Sequence, residues 1–225
     1  MCIICASEAG VRQPSEAQLR RMFTNNPHGA GYMSVRGDHV EIRKGFMVWE
    51  DFIRAVRREQ FTAADPVVYH FRISTQAGVG PEMTHPFPLT SHMEDCKLLD
   101  VSCPVGVAHN GVIRLTSDWT DREYSDTAHY ITEFLRFFLR SREDLEDPAV
   151  LDAIRRTTNS RWAILDRDGT IATVGEFINE RGLLFSNGTF RTPRSASRNN
   201  SMMTSAAPQK TGMNSVETSD CRSWF

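Results

Sequence analysis

The chain has 225 residues, of which 40% are hydrophobic and 24% are charged, and its formal net charge is −2. This is the composition of an ordinary globular protein that can bury a core without disulfides or metals, and the near-neutral charge argues against a protein that coats nucleic acid. No apolar run approaches the roughly 20 residues of a membrane span, and the apolar start of the chain lacks the basic flank of a signal peptide.

The composition changes near residue 193, which predicts one domain over residues 1–192 and a disordered tail over residues 193–225. The last segment is rich in Ser, Thr and Asn and has no periodic apolar pattern. Such a segment cannot bury enough surface to offset the entropy lost on ordering. Residues 1–192 contain no internal repeat and no linker, so we expect a single domain there.

The first half of this domain predicts four strands and two helices. Ser15 and Gln18 form the pattern of a capping box, which predicts a helix that ends before Pro27. Helical spacing of apolar residues predicts a second helix over residues 49–60. Apolar, β-branched and aromatic runs predict strands over residues 2–6, 30–36, 39–44 and 66–72.

The second half begins with residues 76–92, whose three prolines and two glycines predict a long loop. Apolar spacing predicts a strongly amphipathic helix over residues 125–140 and a shorter helix over residues 148–155. The remaining predicted strands cover residues 97–101, 105–109, 161–166, 170–174 and 183–185. Strands, then helices, then strands indicate an α+β fold with a largely antiparallel sheet.

Cys2 is the first candidate for chemistry. A small side chain after Met1 permits removal of the initiator methionine, which would give Cys2 both a thiol and a free α-amine. The ordinary pKa of an α-amine is about 7.7–8.0, so one residue would supply attacker and base, the pattern of an N-terminal nucleophile. The alternative is a small buried hydrophobic residue at the start of a strand.

The cysteine pattern predicts reduced thiols rather than a metal site. Five cysteines in a chain without an export signal indicate a cytoplasmic protein. Cys2 and Cys5 form a C-x-x-C pair, but positions i and i+3 of a strand point to opposite faces, and no second pair follows at ligand spacing. We therefore expect no metal and no cofactor.

Asn110-Gly111 lies between apolar residues and has two compatible interpretations. Asn-Gly in this context is the strongest short signal for a hairpin turn. The Asn110 amide and the Gly111 N–H can also act as the two donors of an oxyanion hole. A tight turn would direct both donors at one point.

Two charged residues are candidates for binding a substrate. Arg72 ends a predicted buried strand and can hold a carboxylate with two hydrogen bonds, although a solvated strand end is the alternative. Asp126 precedes the predicted long helix, where it can cap the helix or pair with an ammonium group. A catalytic pair of a cysteine with His85 or His109 is a further possibility, which nothing in the local sequence favours.

Taken together and in order, these segments resemble the glutaminase domain of class II glutamine amidotransferases, a family of N-terminal-nucleophile hydrolases. The resemblance covers about residues 2–190. It implies a four-layer αββα sandwich of two antiparallel sheets, with helices outside. The matching segments are Met1-Cys2, Asn26-Pro27-His28-Gly29-Ala30-Gly31, His70-Phe71-Arg72-Ile73-Ser74-Thr75-Gln76, Thr84-His85-Pro86-Phe87, Ala108-His109-Asn110-Gly111-Val112-Ile113, Ser125-Asp126-Thr127, residues 162–175 and Phe185-Ser186-Asn187.

The resemblance implies a role for each candidate. Cys2 would be the nucleophile and its α-amine the base, while Asn110 and Gly111 would form the oxyanion hole. Arg72, helped by Thr75, would hold the α-carboxylate of L-glutamine, and Asp126 would hold its α-ammonium group.

The sequence also departs from the family. Met83 stands where many members have Asn, and Ile73-Ser74-Thr75-Gln76 replaces the Trp-Ala-Thr-His of the sugar-phosphate synthases. The ammonia-consuming domain that usually follows is missing from these 225 residues, which leaves three interpretations: a separate acceptor enzyme as partner, a glutaminase without an acceptor, or a changed substrate. The alternatives are an amidase for another amide and a catalytically idle binding module.

Overall fold

Two antiparallel sheets form the centre of the fold, which a computed structural model describes for residues 2–74, 78–114 and 123–191. The strands, in chain order, are β1 (Ile3–Ser7), β2 (Ala30–Arg36), β3 (His39–Phe46), β4 (Val67–Phe71), β5 (Phe87–Pro88), β6 (Asp100–Cys103), β7 (Val105–Asn110), β8 (Arg161–Asp166), β9 (Ile171–Val174), β10 (Ile178–Glu180) and β11 (Leu183–Phe185). The larger sheet has the order β10-β11-β1-β4-β2-β3-β6, and the smaller has the order β5-β7-β8-β9. The predicted α+β class with antiparallel sheets is confirmed, whereas residues 193–225 lie outside the described residues.

The helices lie in two groups along the chain. They are α1 (Glu16–Asn25), α2 (Trp49–Glu59), α3 (Asp126–Tyr130), α4 (Arg136–Phe138) and α5 (Pro148–Thr158). A π-helical turn, Ile131–Leu135, joins α3 to α4, so the helix predicted over residues 125–140 is continuous but not regular. The predicted capping box is confirmed, because Ser15 and Gln18 each accept the other's backbone N–H.

Three apolar layers separate these elements. Phe23 of α1 and Phe52 of α2 pack with Tyr69 of the larger sheet in the first layer. The second layer joins the two sheets and contains Ile4, Met33, Ala108 and Leu165, among others. In the third, Trp162 and Ile164 of the smaller sheet pack against residues of α3 and α5, including Tyr130 and Ile154. The two sheets thus face each other with helices on their outer faces, an arrangement compatible with a two-sheet sandwich.

Strand β1 is buried on both faces. It lies between β11 and β4, and all five of its residues are buried. Side chains alternate along a strand, so Cys5 packs toward the helices whereas Ile4 and Ala6 pack toward the smaller sheet. The continuous apolar run in residues 2–6 follows from this double burial.

The strands that were predicted wrongly all lie at sheet edges. The predicted loop over residues 76–92 contains the edge strand β5 and a 3₁₀ turn, Pro81–Met83; an edge tolerates Pro88 because the missing N–H faces no partner. The strand predicted over residues 97–101 lies later in the chain, as β6, and a 3₁₀ helix, Met93–Lys97, precedes it. Strand β10 was not predicted. Short, half-exposed edges carry little apolar pattern, so the sequence marks them weakly.

The sequence predicts no membrane span, and the helices agree with that prediction. Within the ranges given above, no helix is long and apolar enough to cross a membrane.

Candidate active site

Cys2 lies immediately before β1, at the point where β1 begins and its antiparallel neighbour β4 ends. Its Sγ accepts a hydrogen bond from the backbone N–H of Ile73 at 3.4 Å. The carbonyl of Cys2 accepts a hydrogen bond from Asn187 Nδ2 at 2.6 Å, and Asn187 is held in turn by the backbone N–H and hydroxyl of Thr189. Cys2 is therefore held through its thiol by the backbone of Ile73 and through its carbonyl by the side chain of Asn187.

The environment of Cys2 keeps its thiol protonated. Burial raises the pKa of the Cys2 thiol above its ordinary value of 9.0, while the Ile73 N–H and the positive charge of Arg72 act in the opposite direction without cancelling it. A thiol of this kind is a weak nucleophile at neutral pH and needs a base to remove its proton.

Arg72 is a buried cation that forms no direct ion pair with the described residues. The residue is only 6% exposed, and its Nη1 has no hydrogen-bond partner among the described residues. Burial lowers the pKa of Arg72, whereas the charges of Cys2, Asp126 and Glu82 raise it, so these three groups lie near enough to act on the guanidinium. A buried charge is costly unless it is paired, so Arg72 is suited to bind an anion.

The backbone around Arg72 explains the first Gly-rich motif. Arg72 N–H donates to the Gly29 carbonyl at 2.8 Å, and His28 N–H donates to the Arg72 carbonyl at 2.9 Å. Gly29 has φ +110, and a Cβ there would collide with Thr84. A Cβ at Gly31 would meet the His85 carbonyl oxygen. Both glycines therefore let the segment that carries the His85-Pro86 bond pass against the strand next to Arg72.

Asp126 is not the helix cap. The N-cap of α3 is Ser125, whose hydroxyl accepts the Ala128 N–H at 3.1 Å. Asp126 Oδ2 accepts the backbone N–H of Ile113 at 2.7 Å, and Oδ1 accepts the N–H of Thr127 at 2.8 Å. The carboxylate is thus fixed by two backbone groups and retains lone pairs for a further donor.

Asn110 ends β7 and Gly111 follows it, and the described residues contradict the hairpin interpretation of this pair. Strand β7 pairs with β5 and β8, and residues 112–114, the described residues that follow Gly111, form no strand. Gly111 is required for another reason, because a Cβ there would collide with the Ser160 hydroxyl. The Asn-Gly sequence therefore serves a close backbone approach at the point where the chain leaves the smaller sheet.

The side chain of Asn110 connects the smaller sheet to the start of β1. Asn110 is 1% exposed, and its Nδ2 donates to Ser186 Oγ at 2.9 Å. The Ser186 hydroxyl oxygen also accepts the backbone N–H of Ile4 at 2.9 Å, two positions after Cys2. Asn110 thus lies beside the segment that carries the thiol.

Three buried histidines lie between the sheets and do not pair with Cys2. His70 Nε2 and His85 Nδ1 both lie 3.0 Å from the carbonyl oxygen of His109. His109 Nδ1 contacts Thr127 Oγ1 at 2.8 Å, and its ring stacks on Trp162. Burial lowers the pKa of His70 and His109 to about 3 and that of His85 well below its ordinary value. All three are therefore neutral at pH 7 and act as packed hydrogen-bonding groups.

A buried lysine lies behind the same region. Lys44 Nζ donates to the carbonyls of Glu82 and Cys96 and lies 3.9 Å from the ring centre of Phe87. Burial lowers the pKa of Lys44 to about 7. Lys44 thereby fastens the two 3₁₀ segments to β3, a role that its isolated position in the sequence does not reveal.

The structure brings most of the predicted site residues together. Cys2 and Asp126 both act on Arg72, and Asn110 reaches the start of β1 through Ser186. Thr75 lies outside the described residues, so its role in helping Arg72 to hold the α-carboxylate stays a prediction. Sequence reasoning missed the anchoring by Asn187, the link through Ser186 and the Ile73 N–H; the motif Phe185-Ser186-Asn187 was the one available signal.

The cysteines show no arrangement for a metal. Cys2, Cys5, Cys96 and Cys103 are free thiols, and Cys5 packs in the helix-facing core, away from Cys2. Among the described residues, no group of three or more His, Cys, Asp or Glu side chains is placed to hold a metal ion.

No protein-family model matches this chain, and no curated protein sequence matches it. The chemistry of Cys2, Arg72 and Asp126 therefore carries the functional proposal.

Proposed function

We propose that this protein is a glutamine amidohydrolase of the class II glutamine amidotransferase type, with Cys2 as its N-terminal nucleophile. The observation that carries the proposal is the buried, unpaired guanidinium of Arg72 beside the Cys2 thiol and near the Asp126 carboxylate. A free amino acid carries one carboxylate and one ammonium group, and an arginine and an aspartate complement both.

The reaction begins with attack by sulfur. The Cys2 thiolate adds to the side-chain carbonyl carbon of glutamine, and the carbonyl oxygen takes the negative charge. The Asn110 amide and the Gly111 N–H donate to that oxyanion. As the tetrahedral intermediate collapses, the C–N bond breaks, the nitrogen takes a proton, and ammonia leaves a glutamyl thioester on Cys2. Water then adds to the thioester, the C–S bond breaks, glutamate is released, and the Cys2 thiol is regenerated.

The proton transfers need a base, and the raised pKa of the Cys2 thiol makes this need acute. A free α-amine on Cys2 has an ordinary pKa of about 7.7–8.0 and lies on the same residue as the thiol. It takes the thiol proton and passes it to the departing nitrogen. The proposal therefore requires that Cys2 be the first residue of the mature protein.

The layered arrangement supports the finer assignment of the fold. Two facing antiparallel sheets with helices on both outer faces are what the N-terminal-nucleophile sandwich requires, with the nucleophile at the start of an interior strand. We also propose an ammonia-accepting enzyme as partner, because the reaction releases ammonia, and the cytoplasm as location, because the cysteine pattern favours reduced thiols.

The proposal is tested by intact-mass measurement before and after treatment with diazo-oxo-norleucine, an electrophile shaped like glutamine. We expect a chain that begins at Cys2 and gains one adduct, and no adduct on the Cys2→Ala protein. A turnover assay alone is less direct, because ammonia release can be slow without the acceptor. A retained Met1, or a processed chain without an adduct, contradicts the proposal and favours an idle module or another amide substrate.

Arg72 is tested in the same assay. Losing one partner of a buried charged pair costs about 2 kcal/mol or more, so Arg72→Gln should lower the apparent affinity for diazo-oxo-norleucine at least about 30-fold. Iodoacetamide carries no carboxylate, so its alkylation of Cys2 should fall much less than the affinity for diazo-oxo-norleucine, and only because the thiol pKa rises when the positive charge of Arg72 is removed. Arg140→Gln, at an exposed arginine, serves as the matched control. Equal loss of reactivity toward both reagents would show a general disturbance of Cys2.

A further inference from the structure

One polar atom of the Asn110 amide has no partner. The side chain is buried, Nδ2 lies 2.9 Å from Ser186 Oγ, and Oδ1 has no hydrogen-bond donor among the described residues. Buried polar atoms are nearly always satisfied, so an orphaned amide atom at the proposed site needs an explanation.

The second irregularity is at Ser186. Its Oγ also accepts the Ile4 N–H at 2.9 Å, so two N–H groups are directed at one hydroxyl oxygen. A hydroxyl has two acceptor lone pairs and one hydrogen to donate. With both lone pairs used, the hydrogen of Ser186 meets no acceptor among the described residues, while the nearby Asn110 Oδ1 lacks a donor.

A half-turn of the Asn110 amide satisfies both groups. The Ser186 hydroxyl then donates to Oδ1 while it still accepts from Ile4, and Nδ2 takes the orphaned position. The nitrogen and oxygen of an amide have nearly the same shape, so hydrogen-bond partners decide which way the group points. The Ile4 N–H already uses one lone pair of Ser186 Oγ, so a hydroxyl that donates to Oδ1 has its hydrogen satisfied, whereas one that also accepts from Nδ2 does not.

We propose that Ser186 is a positioning residue that holds the Asn110 amide with Nδ2 directed into the site beside Cys2. This inference rests on the proposed function, since an oxyanion needs a donor at that position. With Oδ1 there, the amide would repel the developing negative charge; with Nδ2 there, it stabilises that charge. Ser186 thus acts on the reaction through Asn110 and does not touch the substrate.

Steady-state kinetics with glutamine test the role. Losing the hydroxyl removes the preference for one amide orientation, so Ser186→Ala should lower kcat about tenfold with KM unchanged. Ser186→Thr keeps a hydroxyl and should restore kcat. In an Asn110→Ala background, Ser186→Ala should have no further effect on kcat, because the amide that it orients is gone. An undiminished effect in that background would overturn the proposal.

Neutron diffraction of the Cys2→Ala protein tests the orientation without any activity. We expect deuterium on Ser186 Oγ directed at Asn110 Oδ1, and two deuterons on Nδ2 directed into the site. Deuterons of Nδ2 directed at Ser186 overturn the inference even if glutamine is hydrolysed. If the deuterons of Nδ2 point into the site, the inference is supported. If the wild-type protein nevertheless forms no adduct with diazo-oxo-norleucine, the proposed function alone fails.

Discussion

Stability should fall steeply between pH 7 and pH 5, because three neutral histidines are buried in the fold. Burial lowers the pKa of His70 and of His109 to about 3, and it lowers the pKa of His85 well below its ordinary value. A histidine in the unfolded chain has a pKa of about 6.5. Below that pH the unfolded chain binds protons that the folded protein does not, so stability is complete above pH 6.5 and is lost as the pH falls toward 3.

The magnitude follows from the difference in proton binding. At pH 5, His70 and His109 each favour the unfolded chain by about 2 kcal/mol, compared with about 0.2 kcal/mol at pH 7. Together they remove about 4 kcal/mol over that interval, a large part of a total stability of about 5–15 kcal/mol, and His85 acts in the same direction. Carboxylates whose pKa is lowered, such as Glu59, lose their contribution only at lower pH, so this window isolates the histidines.

Urea unfolding at pH 7, 6 and 5 measures this dependence. His70→Gln retains an N–H that can reach the His109 carbonyl, and it should remove about 2 kcal/mol of the stability loss between pH 7 and pH 5. His39→Gln is the matched control, because His39 lies on the surface with its side chain 38% exposed. A wild-type loss of less than about 1 kcal/mol between pH 7 and pH 5 would refute the reasoning, as would an equal effect of the two substitutions.

Three further predictions concern single residues. Burial lowers the pKa of Lys44 to about 7, so between pH 7 and pH 10 the unfolded chain binds a proton that the folded protein does not. The free energy of unfolding of the wild type, relative to that of Lys44→Met, should therefore rise by about 2 kcal/mol from pH 7 to pH 9, as measured by urea unfolding. Gly111→Ala should lower the free energy of unfolding by about 1–3 kcal/mol through its collision with Ser160, and Ser160→Gly should recover most of that loss in the double variant. Asp126→Asn should raise the KM for glutamine at least about tenfold. It should leave kcat/KM nearly unchanged for glutaric acid monoamide, which lacks the α-amine. Equal losses on both amides would show that Asp126 mainly supports the backbone at Ile113.

The interior of the fold could be predicted from sequence because its signals are local. Strands β1 and β4 are buried on both faces and give continuous apolar runs, and the Ser15–Gln18 capping box is contained in one turn. The edge strands β5, β6 and β10 are short and carry no comparable pattern. Their positions depend on partners elsewhere in the chain, and local sequence does not specify those partners.

The site divides in the same way. The placement of Arg72 at the end of a buried strand follows from the apolar run before it, and the structure adds that its Nη1 has no hydrogen-bond partner among the described residues. The links through Ser186 and among the buried histidines join residues of different strands and of both sheets. Spacing along the chain contains no information about such contacts, and the Asn110-Gly111 hairpin was predicted wrongly for that reason.

The pairing of β1 has a consequence for the order in which the chain assembles during synthesis. Its partners are β4 and, much later in the chain, β11, which pairs Phe185 with Cys5. Strand β1 therefore leaves the ribosome first but is the interior strand that waits longest for both neighbours, since contacts between distant segments form only after both are made. During that interval the segment around Cys2 is accessible to a peptidase, and once β11 is in place Cys2 is held by Asn187 and half-buried near Arg72. Removal of Met1 would thus be favoured before the sheet closes.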